Sequence, residues 1–536
     1  MSRKTLLLGL LLIVGYSLAL NLPYLWEREF QGEAARRVVA SLEMMERQDY
    51  VIPYIEGRPY LLKPPLYNWV LISFFKLTGS HSEFVARLSS VAAATLTALF
   101  LAFIFREVAR PKGLLWVLPG LVFLSIPEVL DKACRAEIDM TYTFLVTISV
   151  FSWFYLHEVK NRPGLAWTLA LGLAALATLT KTFQAPAFLY GAVGPYLLIK
   201  KRLREFFSAT HLLGLAAYAV VFALWFVPAA ERVGAQAILQ AWLGEYLGRK
   251  SPLEPSGFWG HFFGFPLEYL QGHLPWILFL PGWADRRLRK ELSPGLSKLA
   301  LFSFCLVAFS FPVYWLLPGT RLRYVLPAVG GLTLLVAIPL HRYLFWGKFS
   351  ALIQGLLGVL MVAVVLGVTA FLILSWQRLH LAENPFAVVS LLGLIPLAAL
   401  FFFLRRATSR VILLFLFMWL AKLSFAAAYF PYQARYRSHY VFAARKLQTL
   451  LPRSVELCDY RVNTPHITYY LKYKWQWVKE VRLVPEGELR RCRFVLSWRR
   501  PPGDNFVKIT DIKARRRKWS LWVKKPEVQE PYNKAK

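Results

Sequence analysis

The chain has 536 residues, 57% of them hydrophobic, and 64 Lys and Arg against 31 Asp and Glu give a formal net charge of +33. So high an apolar share excludes a soluble enzyme of ordinary composition, in which about 45–50% of residues are apolar. The sequence has no P-loop, GxGxxG turn, HExxH helix or Cys/His group at metal-binding spacing, which argues against ATP hydrolysis, nicotinamide chemistry and zinc catalysis.

Apolar runs long enough to cross a hydrocarbon core of about 30 Å recur along the chain. They predict thirteen spans, near 4–22, 84–105, 114–130, 138–157, 164–180, 185–200, 211–231, 270–285, 298–317, 324–346, 351–376, 386–405 and 411–430. The run at 270–285 is short enough to be interfacial. The first run opens on Arg3 and Lys4 like a signal peptide, but no small-x-small cleavage site precedes Trp26-Glu27-Arg28, so it is read as a span. Alternate short loops are basic, from Arg106, Arg110 and Lys112 to Arg405, Arg406 and Arg410. The positive-inside bias then predicts a cytoplasmic N-terminus, and the odd span count predicts an external C-terminus.

The first external loop, 23–83, carries a stretch at 33–46 that places Ala34, Ala35, Val38, Val39 and Leu42 on one helical face. That pattern predicts an amphipathic helix lying on the membrane. Phe74, Phe75 and Leu77 suggest another interfacial element. Between them, Lys63 stands before Pro64 and Pro65, and the proline ring forces the lysine into extended backbone. Its ammonium is thereby aimed from a stiff loop at the membrane edge, within reach of a phosphate-bearing lipid. The plainer alternative is a proline loop joining two interfacial helices. A second long external loop, 232–269, contains Glu245, Arg249 and His261.

Residues 431–536 read as a small soluble α/β domain with 25 Lys and Arg against 9 Asp and Glu. A helix is expected over 438–451 with Ser438 as its N-cap, and strands over 455–460, 467–472, 494–498, 506–509 and 519–523. Outside a membrane, such a basic surface fits anionic lipids or phosphorylated glycolipids better than nucleic acid. A merely solvated face is the alternative. Cys458 and Cys492 share this region, where a disulfide could persist, whereas Cys134 sits at a membrane edge and Cys305 within a span.

Glu33, Lys63, Asp139, Lys181, Glu245, Arg249, His261, Arg321, Arg323 and Tyr324 all fall on the external side of this topology. Singly each has a plain reading. Asp139 and Lys181 could snorkel from helix ends, His261 could anchor at the interface beside Trp259 and Phe262, and Arg321 and Arg323 could bind headgroups. Together, acids and cations at several span ends facing one aqueous surface are what a membrane-embedded site for a charged substrate needs.

Several motifs then point to one family. They are Gly32-Glu33-Ala34-Ala35-Arg36-Arg37, Asp49-Tyr50-Val51-Ile52-Pro53, Gly57-Arg58-Pro59-Tyr60 and Lys63-Pro64-Pro65-Leu66-Tyr67-Asn68-Trp69. These resemble the first external loop of GT-C glycosyltransferases. The branch is the one holding dolichyl-phosphate-mannose protein mannosyltransferases and the bacterial aminoarabinose transferase that modifies lipid A. Ala86-Arg87-Leu88-Ser89-Ser90, Arg135-Ala136-Glu137-Ile138-Asp139-Met140, Leu179-Thr180-Lys181 and Thr320-Arg321-Leu322-Arg323-Tyr324-Val325-Leu326-Pro327 are similar to later motifs of that branch.

The resemblance implies an α-helical polytopic membrane protein of GT-C type, with about thirteen transmembrane helices in 1–430 and a basic extracytoplasmic α/β domain in 431–536. It implies transfer of a hexose or pentose from a polyprenyl-phosphate donor to an envelope acceptor at the outer face of the inner membrane. A phosphorylated, lipid A-type glycolipid is the favoured acceptor, anionic membrane lipids are further partners, and no nucleic acid is expected. Glu33 and Asp139 are the implied catalytic carboxylates. Arg36, Lys63, Tyr67, Lys181, Glu245 and Arg249 are implied in substrate binding, with His261, Arg321, Arg323 and Tyr324. Two positions depart from the pattern. Gly32 stands where many members carry Asp, and Leu62 stands where the aminoarabinose transferase carries a Glu thought to hold a metal with a loop histidine. No cofactor is therefore expected, and a divalent metal is left open. A protein O-mannosyltransferase-like or polysaccharide-modifying enzyme is the nearer alternative. A transporter or flippase of lipid-linked saccharides is the remoter one, predicting ionisable groups near span centres and repeated halves.

Overall fold

The structure, a computed structural model, describes residues 2–247, 255–502, 505–514 and 517–525. Among them, nine helices are long and apolar enough to cross a membrane, and the chain is a multi-pass membrane protein. These nine cover nine of the thirteen expected spans. The other four are helical but shorter. The segment at 114–130 breaks at Ser125 into Leu118–Leu124 and Pro127–Ala133, because Pro127 cannot continue a preceding helix. Ile138–Phe154 and Gln184–Ile199 are 17 and 16 residues long, and 270–285 holds a tight 3₁₀ run, Trp276–Ala284.

The first external loop differs from its expected place. The Ala34–Arg47 helix forms as its periodicity demands, yet ten of its fourteen residues are buried, including Arg37 and Glu43. It does not lie on a lipid surface. It is packed against the Leu66–Thr78 helix on one side and against the C-terminal domain on the other, in one continuous core with Tyr470, Leu471 and Trp519. Glu43 is tolerated inside because its carboxylate accepts from the backbone N–H groups of Glu56 at 2.5 Å and Gly57 at 3.1 Å. Those two residues form the turn of a short hairpin, β1 (Tyr54–Ile55) and β2 (Arg58–Pro59).

The C-terminal region is a small sheet domain built from β3 (Glu456–Tyr460), β4 (Glu480–Leu483), β5 (Phe494–Ser497), β6 (Phe506–Ala514) and β7 (Arg517–Lys524). The strand order is β4-β3-β5-β7-β6. β3 runs parallel to β4 and β5, and parallel neighbours require crossovers rather than tight turns. The segment at 467–472, expected as a strand, supplies one of them. It is helical, as Pro465–Thr468 continuing into the wider turn Tyr469–Lys474, with Pro465 in the first helical turn. β4 lies beyond it and was not among the expected strands. Cys458 in β3 is disulfide-bonded to Cys492 just before β5, closing a 34-residue separation.

The His439–Leu450 helix covers the sheet, but Ser438 makes no side-chain cap. Glu29, from the first external loop, does so instead. Its carboxylate accepts from Tyr440 N at 2.9 Å and Val441 N at 3.1 Å. Further acids of the same loop hold the basic domain. Glu83 takes Lys474 at 2.6 Å and the Tyr470 hydroxyl at 3.1 Å, and Glu46 takes Lys472 at 2.8 Å.

Candidate active site

Four chain segments converge on a cavity of about 230 Å³ at the ends of the spans. Glu33 begins the Ala34–Arg47 helix, and helical spacing brings the residues three and four further on over it. Arg36 Nη1 lies 2.8 and 3.1 Å from the two Glu33 oxygens, and Arg37 Nη2 lies 3.6 Å away. Asp139 sits in the first turn of Ile138–Phe154, and Lys181 in the last turn of Pro163–Lys181. Lys181 Nζ donates to Asp139 Oδ1 at 2.7 Å, with both groups buried. The ammonium also lies 5.1 Å from the Tyr324 ring centre and 5.3 Å from that of Tyr142, within cation–π range. Immediately after Lys181, Thr182 has φ 71° and ψ −164°, a region essentially reserved for glycine, so strain is stored where Lys181 is aimed.

Arg323, in the turn Leu322–Tyr324, stands 3.9 Å from both Glu137 Oε2 and Asp139 Oδ2. Lys63, Leu62 and Tyr60 close the cavity from the first loop. Two carboxylates are driven apart in acidity. Burial works against ionisation of Glu33, but the Arg36 and Arg37 guanidiniums outweigh it and hold its carboxyl below the usual range. Burial raises Glu137, and the neighbouring Asp139 charge adds to the rise. Gly32 is left-handed, at φ 60°, and a Cβ there would stand 2.8 Å from Glu137 Oε1. The space that an aspartate at 32 would use is therefore taken by the Glu137 carboxylate.

Of the residues nominated from sequence, Glu33, Arg36, Lys63, Asp139, Lys181, Arg323 and Tyr324 line this cavity. Tyr67 does not. It is buried in the wall behind, its hydroxyl 3.2 Å from Ser89 Oγ. Arg321 is exposed and outside the lining, and His261 Nε2 lies 3.1 Å from the Tyr314 carbonyl oxygen, away from it. Arg249 lies outside the described residues, as does the side chain of Glu245. Arg37, Tyr60 and Glu137 line the cavity and were not nominated. Arg37 could have been found from its four-residue spacing to Glu33, and Glu137 from its place two residues before Asp139. Among the described residues, no group of three or more His, Cys, Asp or Glu side chains is placed to hold a metal ion; Leu62 offers no donor, and His261 Nε2 faces the Tyr314 carbonyl oxygen.

Comparison with known proteins agrees with this geometry. The family profile described as dolichyl-phosphate-mannose-protein mannosyltransferase matches residues 62–228. An undecaprenyl phosphate-alpha-4-amino-4-deoxy-L-arabinose arabinosyl transferase of Aeromonas salmonicida (strain A449) is 27% identical over 375 residues, 67% of this chain and 64% of that protein. One from Proteus mirabilis (strain HI4320) is 27% identical over 343 residues, 62% and 58% of the two chains. The chain thus matches about six-tenths of the length of these curated relatives. The fold is that of the crystal structure of ArnT from Cupriavidus metallidurans bound to undecaprenyl phosphate, with TM-score 0.71, 16% identity and coverage of 97% and 98%. With its first-loop motifs, spans and sheet domain arranged in this way, the chain has the GT-C fold and is similar in sequence to the protein mannosyltransferases and the aminoarabinose transferases.

Proposed function

We propose that the chain transfers a sugar, of the aminopentose class for which its relatives are named, from undecaprenyl phosphate to a phosphorylated glycolipid of lipid A type. In this reading the reaction takes place at the outer face of the bacterial inner membrane. The N-terminus lies in the cytoplasm, residues 1–430 form the transferase body and 431–536 an external basic domain.

One observation carries the proposal. Among the described residues lining the cavity, the cations Arg36, Arg37, Lys63, Lys181 and Arg323 outnumber the acids Glu33, Glu137 and Asp139. That cationic lining suits a phosphate monoester dianion. The acceptor oxygen attacks the anomeric carbon while the bond from that carbon to the phosphate oxygen breaks, and polyprenyl phosphate leaves with the electron pair. Lys63 and Arg323 stabilise the charge gathering on the leaving phosphate. Lys181, held by Asp139, orients the pair of spans beneath it. Glu33, kept ionised by two arginines, is a poor proton acceptor and serves to hold substrate. A phosphate acceptor arrives already ionised and requires no base, which favours the phosphorylated glycolipid.

A second reading has one observation of its own. An acceptor hydroxyl needs a base whose pKa is near the working pH, and Glu137, shifted upward, is the better placed carboxylate. The two readings separate in an assay with purified full-length protein and undecaprenyl-phosphate-linked aminoarabinose. Lipid A is expected to be glycosylated and dephosphorylated lipid A to be inert. Equal rates on both, with an acid limb in the pH profile that Glu137→Gln abolishes, would replace the phosphate acceptor by a hydroxyl.

A further inference from the structure

A second cavity, of about 390 Å³, is lined by Arg28, by residues of the 127–135 segment and by the last long helix, Ala407–Tyr436. It shares no lining residue with the candidate active site. Its polar end holds Arg28, Arg135 and Lys422, and its wall is apolar, with Met418, Phe425 and Phe430. Lys422 lies inside the apolar run 411–430 of its helix. A charged group in a span is costly and faces a partner or a polar cavity.

The partners present do not balance the charge. Among the described residues, Lys422 Nζ hydrogen-bonds only to the Leu130 carbonyl at 3.5 Å and Cys134 Sγ at 3.4 Å, and it lies 5.6 Å from the Phe430 ring centre. Arg28 donates to the Cys134 carbonyl at 3.1 Å and lies 4.0 Å over the Phe430 ring. Among the described residues, neither has a carboxylate within ion-pair distance. Burial and the nearby Arg87 charge push Arg28 down to about 10, a sign of crowded cations. Arg135 alone is neutralised, by Asp131 at 2.7 Å. A surplus of two positive charges therefore sits at one end of an apolar trough. Phe425, 52% exposed on a span, opens the other end toward acyl chains.

We propose that this cavity holds an anionic lipid, its phosphate between Arg28 and Lys422 and an acyl chain along Met418 and Phe425, at a site separate from that of the sugar donor. An ionised phosphate supplies the negative charge the two cations lack, through charge-assisted hydrogen bonds. The apolar wall distinguishes a lipid from a free anion. The inference does not rest on sugar transfer and stands or falls apart from it.

The test uses the full chain in phosphatidylcholine nanodiscs titrated with phosphatidylglycerol, with retained lipid counted by native mass spectrometry. Lys422→Gln and Arg28→Gln are each expected to weaken retention of one phosphatidylglycerol about tenfold, the loss of one charge-assisted contact. Lys422→Arg is expected to keep it. Met418→Trp, which fills the trough and leaves every charge in place, is expected to lose it. Lys63→Ala, at the other cavity, is expected to leave it bound. Wild-type retention in Lys422→Gln, Arg28→Gln and Met418→Trp together, or loss in Lys63→Ala alone, would overturn the site. Displacement by inorganic phosphate at concentrations that leave bulk lipid unaffected would overturn the lipid and make this a free-anion pocket.

Discussion

At Gly32, one missing side chain decides where a carboxylate stands. The left-handed backbone there costs an L-residue about 1–2 kcal/mol, and a Cβ would meet Glu137 Oε1 at 2.8 Å. That oxygen is the tip of a flexible side chain, so it swings aside cheaply. Gly32→Ala is thus expected to lower stability by only about 1–2 kcal/mol, yet to cut sugar transfer by more than tenfold as Glu137 leaves Arg323. Thermal unfolding and kcat/KM, measured together, check this, and unchanged turnover would remove Glu137 from the site. Asp139 makes a sharper case, because Lys181 is buried with it. Asp139→Asn leaves that ammonium without its counter-charge, a loss of about 3–5 kcal/mol. The double variant Asp139→Asn/Lys181→Met is expected to recover stability and not transfer, and recovery of both would reduce the pair to a structural pin. Glu33 is 40% exposed at its side chain. Glu33→Gln is expected to move stability by less than about 1 kcal/mol and to abolish turnover with lipid-linked donor.

The Glu29 cap shows what an element can take from far along the chain. It joins residues 411 positions apart, and replaces the side-chain cap that Ser438 was expected to give. Glu29→Ala is expected to cost about 1–2 kcal/mol and to speed hydrogen exchange at the Tyr440 and Val441 amides. Exchange as in the wild type would place the cap elsewhere. This contact was not legible in the sequence, since nothing local distinguishes Glu29 from Glu27. Local signals fared better: the spans, the Ala34–Arg47 helix and β3, β5, β6 and β7 follow from hydrophobic period and propensity. The segment at 467–472 failed because Ile, Thr, Tyr and Tyr favour strands in isolation, whereas its tertiary task is a crossover between parallel neighbours. The Ala34–Arg47 helix was legible as amphipathic, but its polar residues are buried as well: Arg37 lines the cavity, and Glu43 accepts from the hairpin backbone at Glu56 and Gly57. Lys63, Asp139, Lys181 and Arg323 could be nominated as charges at span ends. That Lys181 binds Asp139, or that Glu137 fills the space at Gly32, needed the fold.

At the scale of the whole molecule, the first external loop is clasped between the membrane body and the sheet domain, and a pair of acids sits in the clasp. Glu56 is 1% exposed and accepts from the Thr468 hydroxyl at 2.6 Å, while its backbone oxygen accepts from Leu483 N at 2.8 Å. Burial raises its carboxyl well above the usual range, and the neighbouring Asp459 charge raises it further. Asp459 is spent on closing its own loop, accepting from Val462 N at 2.8 Å and Asn463 N at 3.1 Å. The docked state therefore keeps a proton on Glu56 that an undocked loop releases above about pH 4.3. With more protons bound in the docked state, stability falls as pH rises. The contribution is complete below the ordinary glutamate value and disappears as pH climbs through the raised one. The loop carrying Glu33 and Lys63 is expected to be held more firmly at pH 5 than at pH 8, read as resistance to limited proteolysis within 23–83 in lipid nanodiscs. Glu56→Gln keeps the acceptor for Thr468 and carries no charge, so it is expected to be protected equally at both values and better than wild type at pH 8. Every other titrating contact of the clasp is common to both proteins and cancels in the comparison. The same pH slope in Glu56→Gln as in wild type would show that the clasp titrates through some other group.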